Sequence, residues 1–182
     1  MKKELELGKL NKKIRKCRKC PLSKGRKNVV PGEGRVNTKI MVIGMAPGAE
    51  EDKTGRPFIG RSGKFLTSLL EIAGIKREEV FITSSIKCFP PKNRKPSKLE
   101  IKFCSPYLER QIDIINPRNF ILLGEVALKV FFSDKKLKDY RGKIITKNGR
   151  RYFVVYHPAA GIRFQKFKKI LERDFKNISR YF

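Results

Sequence analysis

The residues able to do chemistry are few and unevenly placed. His157 is the single histidine in a chain of 182 residues. Two adjacent carboxylates, Glu51 and Asp52, lie in a glycine-punctuated run from Gly44 to Gly63 that also carries the aromatic Phe58. A carboxylate there can position water or oppose positive charge. An imidazole can donate a hydrogen bond to charge developing on a leaving group. Phe58 can stack on a flat ligand, and glycines such as Gly44 and Gly48 let backbone amides come close to it. The run outlines a site that holds something flat and does chemistry beside it. The plainer roles are core packing for Phe58 and helix capping or ion pairing for Glu51 and Asp52.

Four cysteines, Cys17, Cys20, Cys88 and Cys104, make a second group, the first two as Cys-x-x-Cys. Four thiolates can close a tetrahedral zinc site or hold an iron–sulfur cluster, and spacing does not separate the two. A redox Cys-x-x-Cys opens a helix directly after a strand. Here Cys17 ends a helical pattern and Pro21 follows Cys20, which disfavours that reading. The neighbouring Lys16, Arg18, Lys19 and Lys87 favour thiolates and offset negative charge.

The net charge is +27, from 44 Lys and Arg against 17 Asp and Glu. Heat-adapted proteins raise Lys and Glu together, but acids are scarce here. A polyanionic partner, most simply nucleic acid, accounts for the balance. No segment approaches the roughly 20 apolar residues of a membrane span. Neither does the charged start Met1-Lys2-Lys3-Glu4 resemble a signal peptide. A cytoplasmic, intracellular protein with no membrane association is expected.

The elements that must position these residues follow from periodicity. Leu7, Leu10 and Ile14 form one stripe of a helix from Leu5 to Ile14. Residues 21–38 read as a Gly-, Pro- and basic-rich covering loop. Strand-like runs span Lys39 to Gly44, Val80 to Ser84, Asn119 to Gly124 and Tyr152 to Tyr156. Helical patterns cover Lys64 to Ala73, Ser97 to Ile115, Glu125 to Phe132 and about Phe164 to Ser179. Asn148-Gly149 suits the turn of a short hairpin between Tyr140 and Tyr152. Alternating strands and helices predict a parallel sheet covered on both faces, in a single domain over residues 1–182. The Gly44 loop, the Ser84–Arg94 segment and His157-Pro158-Ala159-Ala160 each follow a strand, so they should meet in one crevice at the strands' carboxyl ends. Lys92, Asn93 and Arg94, between prolines, suit phosphate contacts. Gly161, Ile162 and Arg163 suit a wedge entering a duplex.

Taken together, Cys17-Arg18-Lys19-Cys20-Pro21-Leu22, the Gly44–Gly63 loop, Lys87-Cys88 with Pro90-Pro91-Lys92-Asn93-Arg94-Lys95-Pro96, Cys104-Ser105-Pro106-Tyr107-Leu108 and His157-Pro158-Ala159-Ala160 resemble the iron–sulfur, family 4 uracil-DNA glycosylases of thermophilic bacteria and archaea. The resemblance runs from about Cys17 to Arg163. It implies a three-layer α/β/α sandwich around a four-stranded parallel sheet. It also implies a structural [4Fe–4S] cluster on all four cysteines. By the same resemblance Phe58 stacks on a flipped base, Glu51 serves the hydrolytic step and His157 stabilises the departing uracil anion. The segment Ala160-Gly161-Ile162-Arg163 then fills the vacated space in the duplex. The implied partner is DNA carrying a damaged or deaminated base, met by a monomer; the residues do not by themselves define a replication-clamp contact.

Two positions depart from the family pattern. Met45 stands where family 4 usually has Glu, and Ser84 where it has the Asn that pairs with the edge of uracil. A hydroxyl cannot present an amide's donor and acceptor together. Losing such a pair costs about 2–4 kcal/mol of recognition. The expected activity is monofunctional hydrolysis of a deaminated base, uracil first. The alternatives are a preference for another deaminated base such as hypoxanthine, or a non-catalytic iron–sulfur DNA-binding module.

Overall fold

The computed structural model describes residues 1–178, 180 and 181. In chain order the elements are α1 (Lys2–Arg15), α2 (Leu22–Gly25), β1 (Glu33–Gly34), β2 (Ile40–Gly44), α3 (Ala49–Thr54), α4 (Arg61–Ile72), β3 (Phe81–Ser84), α5 (Lys98–Ile115), β4 (Asn119–Leu123), α6 (Gly124–Phe131), α7 (Leu137–Tyr140), β5 (Ile144–Lys147), β6 (Arg150–Val155), α8 (Pro158–Arg163) and α9 (Gln165–Ile178). Ser179, the expected end of the last helix, lies outside the described residues.

One sheet runs in the order β1-β3-β2-β4-β6-β5. The middle four strands are parallel, as expected. The sheet is nevertheless six-stranded among the described residues, not four-stranded, because an antiparallel strand closes each edge. At one edge β5 pairs back onto β6 through Asn148-Gly149, both at positive φ (51° and 70°), the geometry a two-residue hairpin turn requires. At the other, the two residues of β1 come from the segment expected to be loop. Gly34 makes that pairing possible: a Cβ there would collide with the Val80 carbonyl.

Side-chain alternation divides the core into two layers. Met41, Ile43, Phe120, Leu122, Tyr152 and Val154 pack with Leu7 and Ile14 of α1, Ile112 of α5 and Leu128 of α6. Val42, Ile82, Ile121, Leu123, Phe153 and Val155 pack on the other face with Leu66, Leu69 and Leu70 of α4 and Leu171 and Phe175 of α9. Burial on both faces explains why the central strands read as continuous apolar runs. Each of the fully buried leucines of α4 contributes about 1.5–3 kcal/mol.

Helix α5 shows how local chemistry sets boundaries. Ser97 caps it, accepting from Glu100 N at 3.2 Å while Glu100 Oε2 accepts from Ser97 N at 2.7 Å. Pro106 inside the helix cannot donate to the Lys102 carbonyl, and Ser105 Oγ does so instead at 3.1 Å. The order of β3, β2 and β4 reverses beside β2, so the carboxyl ends of these strands open a crevice. Among the described residues no helix is long and apolar enough to cross a membrane.

Candidate active site and cysteine cavity

Every strand end expected at the crevice contributes to it. Gly44 ends β2 directly opposite Ser84, which ends β3. Both are buried. The Phe58 ring lies against Gly44: a Cβ there would sit 2.5 Å from Phe58 Cζ and 3.5 Å from Ser84 Oγ. Gly63 clears the other side, since a Cβ on it would strike the Phe58 carbonyl. Phe58 itself has φ of 50°, a conformation rarely adopted by a bulky residue. Backbone strain of this kind gathers at ligand sites. The ring centroid lies 5.9 Å from that of His157.

The stretch from Gly44 to Gly63 is less a loop than expected, for it contains α3 and the start of α4. Glu51 explains this. Its Oε2 accepts from Gly48 N at 3.0 Å, and its Oε1 accepts from Ile59 N and Gly60 N, each at 2.9 Å. One buried carboxylate thus binds the amides that open both helices, where negative charge is favoured. Glycine at position 48 leaves room for this contact, since a Cβ there would sit 2.6 Å from Oε2. Two acceptor positions on Oε1 are filled, while Oε2 keeps one. Asp52 does not share this site. Its carboxylate accepts from Lys27 N and Asn28 N and ties the preceding loop to α3.

His157 caps α8. Its Nδ1 accepts from Ala159 N at 3.2 Å, and Pro158 occupies the first helical position. Burial pushes the imidazole down to about 4, against the pull of the Glu51 carboxylate. At neutral pH the ring is therefore neutral. With Nδ1 accepting, the proton resides on Nε2. Gly124 packs on it: a Cβ there would lie 3.2 Å from His157 Cβ.

The remaining expected site residues are spread along the rim. Met45 is half-buried, and its carbonyl accepts from Ile86 N at 3.2 Å. Lys92 and Asn93 are exposed at φ of 55° and 54°, and Asn93 Oδ1 would lie 3.8 Å from a Cβ on Gly48. Arg94 is engaged by Glu100, its Nη1 and Nη2 donating to the carboxylate oxygens at 2.8 and 2.6 Å. Ala160, Gly161, Ile162 and Arg163 form most of α8 rather than a loop. Gly161 faces inward, where a Cβ would meet Phe65 at 2.5 Å, while Ile162 and the following Phe164 are exposed.

Cys17, Cys20, Cys88 and Cys104 line one cavity with Ile14, Arg26, Lys87, Phe103 and Tyr107. Among the described residues no three Cys, His, Asp or Glu side chains converge closely enough to hold a metal ion. Arg26 Nη1 donates to Cys88 Sγ at 3.0 Å, and Lys87 N to Cys104 Sγ at 3.3 Å. Burial raises the Cys88 thiol and pushes Cys104 up to about 11. Sulfurs so placed ionise when a bound cation replaces their protons. The role of Arg26 was not expected, and its only sequence signal is a basic residue shortly after Cys-x-x-Cys. The depth of Lys87 was likewise unexpected. It is fully buried, which pushes its ammonium down to about 8, against the pull of the Cys104 sulfur.

Residues 31–177 match the family model of the uracil DNA glycosylase superfamily. The chain is 45% identical to the type-4 uracil-DNA glycosylase of Sulfurisphaera tokodaii, covering 94% of this chain and 83% of the relative. It is 47% identical to that of Saccharolobus solfataricus, over 91% and 81%. It is 42% identical to that of Pyrobaculum aerophilum, over 93% and 91%.

Proposed function

The chain belongs to the uracil-DNA glycosylase superfamily and, within it, to the type-4 uracil-DNA glycosylases, and we propose that its crevice releases uracil as an anion toward His157. It is a DNA repair enzyme, a glycosylase that hydrolyses the N-glycosyl bond of uracil in DNA. Bond cleavage leaves an oxocarbenium-like sugar and an anionic base. The base must first leave the stack, which costs a few kcal/mol. It then lies on Phe58, with the Gly44–Met45 backbone, Gly48 and Ser84 around it.

The observation that carries this reading is the hydrogen bond from Ala159 N to His157 Nδ1. It fixes a neutral ring whose Nε2–H donates to the oxygen on which negative charge develops. Such a donor, already oriented, is worth about 2.7–4 kcal/mol in the transition state. Glu51 opposes the sugar's positive charge and orients water through the remaining acceptor position of Oε2. The water's oxygen bonds to the sugar carbon, and its protons end on the new hydroxyl and on the departing base or solvent. No lysine nucleophile is required, so the product is an intact strand with an abasic site. Lys92, Asn93 and the exposed edge of Arg94 contact phosphates. Ala160–Arg163 approaches the vacated stack, with Ile162 and Arg163 exposed and Gly161 seating the helix.

The donor set suits a [4Fe–4S] cluster, in which each iron takes one thiolate so that the four sulfurs need not meet at one point: Cys17, Cys20, Cys88 and Cys104 line one cavity, with Arg26 and Lys87 to balance a negatively charged group. Cys17, Cys20, Cys88 and Cys104 would hold it. It would supply structural cross-linking of the segment after α1, of α5 and of the segment after β3. The enzyme acts as an intracellular monomer on DNA.

The test is His157→Ala, measured by single-turnover base release and by binding to uracil-containing duplex. A rate loss of about 100-fold or more with binding retained is expected. Equal loss of rate and binding would make His157 structural.

A further inference from the structure

Lys87 is the largest polar side chain sealed inside the protein, and the steps of catalysis leave it unused. Its Nζ donates to Thr83 Oγ1 at 2.6 Å, to the Ser84 carbonyl at 2.8 Å and to Gln111 Oε1 at 2.8 Å. Those three bonds use every proton of the ammonium. The acceptors are anchored in turn, since Thr83 Oγ1 and Gln111 Nε2 both donate to the Pro31 carbonyl at 2.8 Å. All three acceptors are neutral. A buried cation with neutral partners is costly unless negative charge lies nearby. The candidate is the cysteine cavity, which Lys87 lines and where its own amide donates to Cys104 Sγ.

We infer that Lys87 is a positioning residue that joins the cysteine site to the base pocket. Its ammonium is the buried counter-charge of the sulfur-bound cluster, and through the Ser84 carbonyl it fixes the end of β3 where the base edge is read. This rests on the cluster reading above. Ser84 lies opposite Gly44, beside the Phe58 ring, whereas Cys88 and Cys104 line the cavity that Lys87 also lines. One residue therefore meets both sites, its Nζ at the Ser84 carbonyl and its amide at Cys104 Sγ. The three bonds from Nζ hold the Ser84 carbonyl, Thr83 and Gln111 in one arrangement beside the cavity.

The experiment uses holoenzyme carrying Lys87→Met or Lys87→Gln. Removing a positive charge beside a cluster favours its oxidised form, so the reduction potential should fall in both variants. The base-edge contact is made in ground and transition states alike. KM for uracil-containing duplex should therefore rise about tenfold while kcat changes by less than about twofold. Should neither variant fold, Gln111→Glu sets a carboxylate against the ammonium and should lower the potential in the same direction. Iron-loaded wild type with an unmoved potential in the variants would overturn this inference alone. A potential shift with unchanged KM would overturn the link to the pocket. Wild-type protein purified without iron under iron-replete, anaerobic conditions would overturn the cluster reading itself.

Discussion

Phe58 and His157 face each other across the crevice with ring centroids 5.9 Å apart and planes inclined by 31°. A base sandwiched between them would need about 7 Å, two carbon contact distances. On the proposed reading, a base would take one face of Phe58 and meet His157 at its edge, where hydrogen bonds form. Phe58 can lie so close to β2 only because Gly44 has no Cβ. Gly44→Ala should displace the ring and lower single-turnover base release by about tenfold or more, since a misplacement of about 1 Å can cost up to about 100-fold. Binding to undamaged duplex, set by surface charge, should hold. Unchanged base release would show that the ring is not the stacking platform.

His157 makes the pH dependence unusual. Its folded value, about 4, lies below the ordinary 6.5. Protonation must break the bond from Ala159 N, so the neutral ring is favoured and its contribution to stability is complete above about 6.5. That contribution falls as pH drops from there through about 4. Single-turnover rates should show no histidine inflection near 6.5 and should decline only toward pH 4. An inflection near 6.5 that disappears in His157→Ala would mean that the ring titrates as if in solvent.

Ser84 is one of the two positions at which the sequence departs from the pattern its resemblance implies. Ser84→Asn should raise selectivity for uracil over hypoxanthine, because an amide offers the donor and acceptor that uracil's edge requires. Single-turnover rates on both duplexes at fixed salt measure it. A gain of about tenfold or more corresponds to one recovered hydrogen bond. A wild type already strict for uracil, with no gain from asparagine, would show that backbone groups read the edge.

Arg94 and Glu100 predict an acid limb of stability. The Arg94 guanidinium, with the Ser97 amide, holds the buried Glu100 down at about 2, against burial, from an ordinary 4.5. The stabilisation is fully present above about 4.5 and is lost as pH falls through about 2. Arg94→Ala should lower the melting temperature at pH 7 and narrow the gap between its value at pH 7 and at pH 3. Parallel curves for variant and wild type would place the origin of the acid limb elsewhere.

Local patterns carried much of this into the sequence. The stripe of Leu7, Leu10 and Ile14 and the apolar runs around Val42 and Ile121 each report burial within a few residues of chain. Asn148-Gly149 marked its hairpin because few other pairs adopt two positive φ values in succession. The two-residue β1 left no such mark, since its place depends on pairing with β3 and on a clearance at Gly34.

Residue types alone therefore determined the chemistry available to this protein: one imidazole, one acidic glycine-rich segment, four thiols and a large positive charge. They also determined the alternation that stacks helices on both sides of a parallel sheet. Tertiary structure decided what each group does. Glu51 became the acceptor of amides from two helices, while its neighbour Asp52 was drawn to another loop. His157 received its tautomer from the turn that follows it. Lys87 was sealed between the Ser84 carbonyl and the cysteine cavity. The physical reason is that these roles depend on hydrogen-bond direction and desolvation among groups that the chain brings together only on folding, and neither leaves a period or a spacing to read.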